Sequence, residues 1–393
     1  MPAIRLIAPN SFRGTIRRIV PLVGLIVSLG ALGASSASAS IGEWGIQSTL
    51  NPGSEQEFDN VGCNTSTLCM AVGTYSSGAL VEVWNGKEWS LAPSFTGADL
   101  NDAACIDNGE CGALGSNAGQ AWGQKWSKGG GWKTMFVPSI GASSSEFNGS
   151  GCAPVEAKLE CFAVGSYTSG GFRGTLTMRW ETATQKFVNF WAPTVSQDNV
   201  LNDVSCNAVG SCVAVGYYVE SGNKHPLAMR WEGTGWSLEF LPTPEEEPAG
   251  TDTYLNDVSC SGSGAAARCV AVGVNEGGAP QTAVSMHWNG EEWLEAPPVE
   301  PAGLEGDFSF NGVSCLSASE CYAAGEYATG ATETQTLIEE WDGSEWAVSP
   351  SPNPEEAERS WLNGIFCRPS VTDCLTVGSS EAAGQTTLAL LGK

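Results

Sequence analysis

The sequence predicts an all-β fold in which seven copies of a four-stranded antiparallel unit close into a ring. Three observations predict it. A cysteine-pair motif recurs seven times, each copy is followed by further apolar segments bounded mainly by tryptophans, and the segment missing from the last copy stands ahead of the first. Composition agrees, because 49 glycines and 20 prolines among 393 residues, without a long helical pattern, favour short strands joined by turns. With 42% apolar and 16% charged residues the chain can bury a large core.

The first element is a leader. Arg5, Arg13, Arg17 and Arg18 precede an apolar stretch from Ile19 to Gly33, and small residues end in Ala37-Ser38-Ala39. That order predicts a secretory signal peptide over 1–39, cleaved before Ser40, and a single domain over 40–393. The stretch is interrupted by Pro21, Gly24, Ser28 and Gly30 and is short for a membrane span of about twenty residues. The mature chain is therefore expected to be secreted, extracellular and not inserted in a membrane. Loss of the four leader arginines leaves fourteen basic residues against 43 acidic ones, a formal charge of −29. Such a surface repels phosphate backbones and anionic lipid heads, which argues against nucleic acid and membrane surfaces as partners.

Each repeat opens on a segment ending in cysteine: "FDNVGC", "LNDAAC", "FNGSGC", "LNDVSC" twice, "FNGVSC" and "LNGIFC". A second cysteine then opens "CMAVG", "CGALG", "CFAVG", "CVAVG" twice, "CYAAG" or "CLTVG". The pairs are Cys63 with Cys69, Cys105 with Cys111, Cys152 with Cys161, Cys206 with Cys212, Cys260 with Cys269, Cys315 with Cys321, and Cys367 with Cys374, which uses every cysteine. The same spacing in a cytosolic enzyme would suggest redox or zinc chemistry. Here the expected export, the even count, the pair in every repeat and the presence of only His225 and His287 favour structural disulfides across the first hairpin.

The third and fourth strands are read from "VEVWNGKEWS", "MRWEGTGWS", "MHWNGEEWL" and "IEEWDGSEWAV". Their Asn-Gly and Asp-Gly steps suit the positive backbone angles of tight hairpin turns. Successive first cysteines lie 42 to 55 residues apart, the length of a propeller blade. After Cys374 the chain supplies a third strand, "TTLALLGK", and no fourth. "EWGIQSTLNPG", from Glu43, matches the fourth-strand pattern, so Trp44 is expected to complete the last unit and remove its open edge.

On these motifs the chain resembles a seven-bladed β-propeller with terminal-strand closure, and its V-S-C…C-x-A-V-G…W-x-G-x-x-W repeat is similar to secreted actinobacterial repeat proteins. The W-N-G-x-x-W hairpin also resembles that of kelch and Asp-box propellers. The kelch double glycine and the Asp-box signature are not kept, so the resemblance implies a fold and carries over no kelch or sialidase activity.

Repeated tryptophans (Trp84, Trp126, Trp180, Trp231, Trp288 and Trp341 ending third strands; Trp89, Trp132, Trp236, Trp293, Trp346 and Trp44 opening fourth strands) are expected to pack between adjacent units. Phe187 stands in for one of them. Trp122, Trp191 and Trp361 fall outside the repeat and are ligand candidates. Four residues before each first cysteine stand Asp59, Asn101, Asn148, Asn202, Asn256, Asn311 and Asn363. They either cap a local turn or ring the channel mouth as ligands to a cation or glycan.

No catalytic residue is assigned. Neither histidine sits in a nucleophile-bearing turn, and no glycine-rich phosphate loop is present. No cofactor or dedicated metal site is expected. The acidic loops at 244–248 and 354–358 lack a calcium-loop pattern and offer at most weak Ca2+ binding. The sequence therefore reads as a monomeric, non-catalytic binding module. Its extracellular glycan or protein ligand would lie over the channel, with specificity in the least repeated segments, the third repeat and the loops around Tyr217, Glu245 and Trp361. The alternatives are a carboxylate-dependent polysaccharide hydrolase or lyase, and a structural component of the cell envelope.

Overall fold

The computed structural model describes residues 41–64, 67–93, 95–106, 109–153, 159–242, 250–277 and 280–393. The expected signal peptide and the acidic loop at 244–248, with Glu245, lie outside the described residues. β1 (Trp44–Gln47) stands ahead of the first repeat. Repeat 1 comprises β2 (Glu57–Cys63), β3 (Cys69–Tyr75), β4 (Gly78–Trp84) and β5 (Trp89–Leu91). Repeat 2 comprises β6 (Ala98–Ile106), β7 (Glu110–Asn117), β8 (Gln120–Ser127) and β9 (Gly131–Thr134). Repeat 3 comprises β10 (Ser144–Ala153), β11 (Glu160–Ser169), β12 (Phe172–Glu181) and β13 (Lys186–Asn189). Repeat 4 comprises β14 (Asn199–Ala208), β15 (Ser211–Glu220), β16 (Asn223–Trp231) and β17 (Trp236–Glu239). Repeat 5 comprises β18 (Asp252–Ser261), β19 (Arg268–Glu276), β20 (Thr282–Trp288) and β21 (Trp293–Glu295). Repeat 6 comprises β22 (Phe308–Ser317), β23 (Glu320–Ala328), β24 (Thr334–Trp341) and β25 (Trp346–Val348). Repeat 7 comprises β26 (Arg359–Arg368), β27 (Asp373–Glu381) and β28 (Gln385–Gly392).

Each of the first five repeats is a four-stranded antiparallel sheet with its strands in chain order. Repeats 6 and 7 share one eight-stranded mixed sheet, joined by a single parallel pairing of Thr334 with Arg359. β1 lies at the edge of that sheet, antiparallel to β28, with Trp44 opposite Gly392. All seven expected disulfides are formed, each between directly opposite residues of the first hairpin and with Cα atoms 3.9 to 4.1 Å apart.

The outer hairpins depart from the expected turn chemistry. In "WNGKEW" only Gly86 has a positive φ, 93°. Asn85 instead uses its side-chain oxygen to accept the backbone N–H groups of Lys87 and Glu88, at 3.0 and 3.1 Å. Asn289 and Asp342 do the same at their turns. The asparagine or aspartate is thus an Asx cap, which satisfies donors that the four-residue loop leaves open.

The pairing of first and second strands slips by one residue in every repeat, and the residue skipped is Asp59, Asn101, Asn148, Asn202, Asn256, Asn311 or Asn363. A bulge bends the strand and re-aims the side chain that it carries. It also explains the glycine of "AVG". A Cβ on Gly216 would lie 2.1 Å from the Val200 carbonyl oxygen, and the equivalent glycines of other repeats show the same close approach.

The core lies between repeats. Phe162 and Val164 of repeat 3 pack with Trp231 and Trp236 of repeat 4, and Phe58, Trp84 and Trp89 of repeat 1 pack with Leu375, Val377 and Leu391 of repeat 7. The repeated tryptophans fill these seams as expected, with Trp84 and Trp89 facing each other at 5.5 Å and Trp231 only 1% exposed. Phe187 replaces a tryptophan against Trp180 at 5.1 Å. Trp44 packs edge-on against Tyr322 of repeat 6.

Candidate binding site

The asparagines at the bulges do not cap local turns. Each sends its amide across the seam to a backbone carbonyl of the following repeat. Asn101 Nδ2 donates to Phe147 O at 2.8 Å, Asn148 to Leu201 O at 2.9 Å and Asn202 to Leu255 O at 2.7 Å. Asn256 donates to Phe310 O at 2.9 Å and Asn311 to Leu362 O at 2.9 Å. Asn363 donates to Phe58 O and to the Glu57 carboxylate, both at 2.8 Å. Asp59 has no amide to donate. Burial first, then the charges of Glu57 and Asp99, push its carboxyl up to about 7.

The rest of "NDVSC" works in the same direction. Asp203 Oδ2 accepts Val258 N–H at 3.2 Å, and Asp257 Oδ2 accepts Val313 N–H at 2.7 Å. Ser205, Ser259 and Ser314 accept the N–H groups of Cys260, Cys315 and Cys367 at 2.8 to 3.0 Å. Successive first strands are therefore stapled at up to three points by the side chains of one motif.

A cavity of about 640 Å³ takes wall residues from all seven first strands, with Asp102, Asp203 and Asp257 along it and Arg368 at the disulfide end. Burial pushes Asp102 up to about 7, and the Asn60 amide donates to it at 2.7 Å. Burial also raises Asp203 and Asp257. Both side chains touch the cavity, and the hydrogen bond between them raises Asp203 further while it lowers Asp257. No group of three or more His, Cys, Asp or Glu among the described residues is placed to hold a metal ion. The histidines are ring partners, His225 stacked on Tyr218 and His287 against Trp341, each at 5.2 Å.

At the sheet ends opposite the disulfides, residues differ from repeat to repeat. Trp191 is 65% exposed and lies 6.0 Å from the Tyr167 ring. On the other face of repeat 3, turned toward repeat 4, Arg173 donates to Asp198 at 2.6 Å and to the Tyr217 hydroxyl at 3.1 Å. Lys224 Nζ stands 5.2 Å from the Tyr217 ring and 4.1 Å from that of Tyr254, whose hydroxyl donates to Glu276. Arg173, Tyr217, Lys224, Tyr254 and Glu276 join the ends of repeats 3, 4 and 5 into one strip, to which Trp191 does not belong. The sequence reading picked out Trp191 and Tyr217 here, and missed Arg173, Lys224 and Tyr254. Only Tyr254 had a signal there: the position six residues before the first cysteine is Tyr254 in repeat 5 and Val200 in repeat 4.

The other single-copy tryptophans lie elsewhere. Trp122 is partly buried, edge-on to Phe95 at 5.0 Å. Trp361 is half-buried beneath Arg359 and donates to Glu57 at 2.9 Å. A second cavity at this end, about 630 Å³, is lined by Glu305, Asp307, Glu326, Glu333, Glu358 and Glu381 with Arg359 among them. Burial raises the Glu326 carboxyl.

No protein-family model and no curated protein matches the chain. Solved structures do. A polysaccharide lyase of family PL25, an ulvan lyase bound to -[GlcA(1-4)Rha3S]-, aligns with a TM-score of 0.53 at 9% identity, over 83% of this chain and 90% of that one. YCF48 from Cyanidioschyzon merolae aligns with a TM-score of 0.53 at 13% identity, over 89% of this chain and 98% of that one. YCF48 bound to D1 peptide aligns with a TM-score of 0.50 at 15% identity, over 92% of this chain and 99% of that one. At such identities the likeness is one of fold, and the repeated four-stranded sheets with their disulfides form a propeller-like architecture.

Proposed function

We propose that the chain is an exported, monomeric seven-bladed β-propeller, closed by β1, that acts as a non-catalytic binding module for an extracellular glycan or protein. The pairing of β1 with β28 and the shared core of repeats 7 and 1 support the closure. Disulfides in every repeat fit an oxidising compartment, and no helix among the described residues is long and apolar enough to cross a membrane.

One observation carries the binding reading. The repeated asparagines and most repeated tryptophans are engaged in joining one sheet to the next, whereas the ends opposite the disulfides carry single-copy side chains such as the exposed Trp191. Holding the sheets together accounts for the first set; the second has no such role in the fold, which supports a ligand at those ends. Two of the fold neighbours are bound to a sugar polymer unit and to a peptide, which supports these two ligand classes. Glycan and peptide arrays probed with residues 40–393 test the proposal; binding to neither class refutes it.

The acidic cavity around Glu326 favours a second reading, a carboxylate-dependent polysaccharide hydrolase or lyase, since burial raises the Glu326 carboxyl in a cavity lined by further carboxyl groups, and such an enzyme works with a pair of them. Reducing-sugar or unsaturated-product release from a polysaccharide panel would favour it over the first.

A further inference from the structure

We infer that the seam between repeats 2 and 3 is a small-molecule slot continuous with the central cavity, and that it takes an amine bearing an aryl group, with the ring in the seam and the ammonium at Asp102. The slot is independent of the glycan or protein reading, which concerns the opposite ends of the sheets.

One position fills the other seams and leaves this one open. The residue after the second cysteine is Met70, Phe162, Val213, Val270, Tyr322 or Leu375. Each is buried against the following repeat, as Phe162 is against Trp231 and Trp236, and Leu375 against Trp84 and Trp89. In repeat 2 the residue is Gly112, and the facing hairpin of repeat 3 carries Phe187 in place of a tryptophan. Both changes remove bulk from the same seam. Outside its own segment, a Cβ on Gly112 would have Ala104 O and Met135 Sδ as nearest neighbours, each at 3.9 Å, against 2.1 Å from Gly216 to a backbone oxygen. The cavity of about 640 Å³ reaches this space, with Gly112, Leu114 and Met135 on one wall and Trp180 and Phe187 on the other.

Strand register joins this slot to a carboxyl. Asp102 on β6 stands opposite Leu114 on β7, and Gly112 stands opposite Ala104 on β6 and Lys125 on β8. Opposite residues share a face, as do alternate residues of one strand. Leu114 packs with Trp180 and Phe187, so Asp102, Gly112 and Lys125 all face repeat 3. Hydrogen bonds agree, since Asp102 accepts the Ser150 hydroxyl and Lys125 donates to Gln185 Oε1 at 3.0 Å, both across the seam. Asp102 is thus the diagonal neighbour of Gly112, about 7 to 8 Å away, a separation suited to a ring and an ammonium joined by two carbons.

Charge selects the amine. Asp102, Asp203 and Asp257 line the cavity together, whereas Lys125 and Arg368 on its wall are paired with Glu110 at 3.0 Å and Asp373 at 2.5 Å. The formal charge of the chain, −25, draws cations and repels anions. The seam itself is walled by Leu114, Met135, Trp180 and Phe187, and apolar walls of this kind accept an aryl ring.

The test titrates residues 40–393 by calorimetry with phenethylamine, 2-phenylethanol and 3-phenylpropionate, which share a ring and a two-carbon arm and end in an ammonium, a hydroxyl or a carboxylate. Expected is binding of the amine at least about tenfold tighter than either of the others. Gly112→Leu supplies the side chain that repeat 7 carries as Leu375; it should abolish amine binding and hold or raise the midpoint of urea unfolding. Asp102→Asn should bring the amine down to the affinity of the alcohol, and Glu232→Gln, an exposed carboxylate of repeat 4, should bind as wild type. A Gly112→Leu protein that binds the amine as wild type does, or that unfolds at lower urea, overturns the slot. Alcohol or propionate bound as tightly as the amine, or an amine preference that survives Asp102→Asn, overturns the ligand class, and binding of none of the three overturns both. Each of these results leaves the outcome of the glycan and peptide arrays unchanged.

Discussion

Asp59 occupies the one bulge position where the repeat has replaced an amide by a carboxyl, and this makes the seam between repeats 1 and 2 sensitive to protonation. At the six other positions an asparagine Nδ2 lies 2.7 to 2.9 Å from a carbonyl of the next repeat. By the same register the acceptor facing Asp59 is Leu100 O. A protonated carboxyl can donate to that oxygen; an ionised one presents a second acceptor to it, beside Glu57 and Asp99. Because the folded-state value, about 7, lies above the unfolded 3.8, the stabilisation is complete below 3.8 and is lost as pH rises through about 7. In the window between, the folded state binds one proton more than the unfolded state, and stability falls by about 1.4 kcal/mol per pH unit from this group. The three-unit separation corresponds to a few kcal/mol, on the order of 4, once the group is ionised. Asp59→Asn supplies the missing donor in the same shape and removes the charge. Urea unfolding of wild type and variant at pH 4.5, 6 and 8 should show the variant gaining little at the lowest pH and about 2 to 4 kcal/mol at the highest. A difference that is the same at all three pH values, or a variant less stable at pH 8, refutes the reasoning.

Three further outcomes follow from the same geometry. Asn256→Ala removes the amide that donates to Phe310 O at 2.9 Å and leaves a buried carbonyl unpaired, so thermal or urea unfolding should report a loss of about 1 to 3 kcal/mol. Gly216→Ala places a Cβ 2.1 Å from the Val200 oxygen, and the bulge cannot persist in its present form; expected is a loss of about 3 kcal/mol or more, measured alongside a Gly222→Ala control in an exposed turn that costs no more than about 1 to 2. Replacing Cys206 and Cys212 together by serine opens a loop of six residues' separation and should lower stability by about 2 to 3 kcal/mol without dissociating repeat 4, as judged by denaturant unfolding and near-ultraviolet circular dichroism of the tryptophans.

These residues also show why the sequence disclosed the sheets and concealed the seams. A disulfide between opposite residues of one hairpin is local, so the spacing of Cys206 and Cys212 is enough to read it. Alternation and turn residues are local as well, and the four-stranded unit follows from them. The role of Asn202 is not local. Its partner, Leu255, lies 53 residues further on, and only the bulge that skips Asn202 in the pairing turns its amide toward that carbonyl. Recurrence of an asparagine is compatible with a ligand ring, a turn cap or a seam, because all three repeat with the fold. What separates them is the departure from recurrence. An aspartate can replace an asparagine in a turn cap with little penalty, since the cap needs only an acceptor oxygen; at a seam that needs a donor, the same replacement ties the bond to a proton. Asp59 therefore tests the role of all seven positions at once, and the direction in which its asparagine variant moves with pH distinguishes a seam from a cap.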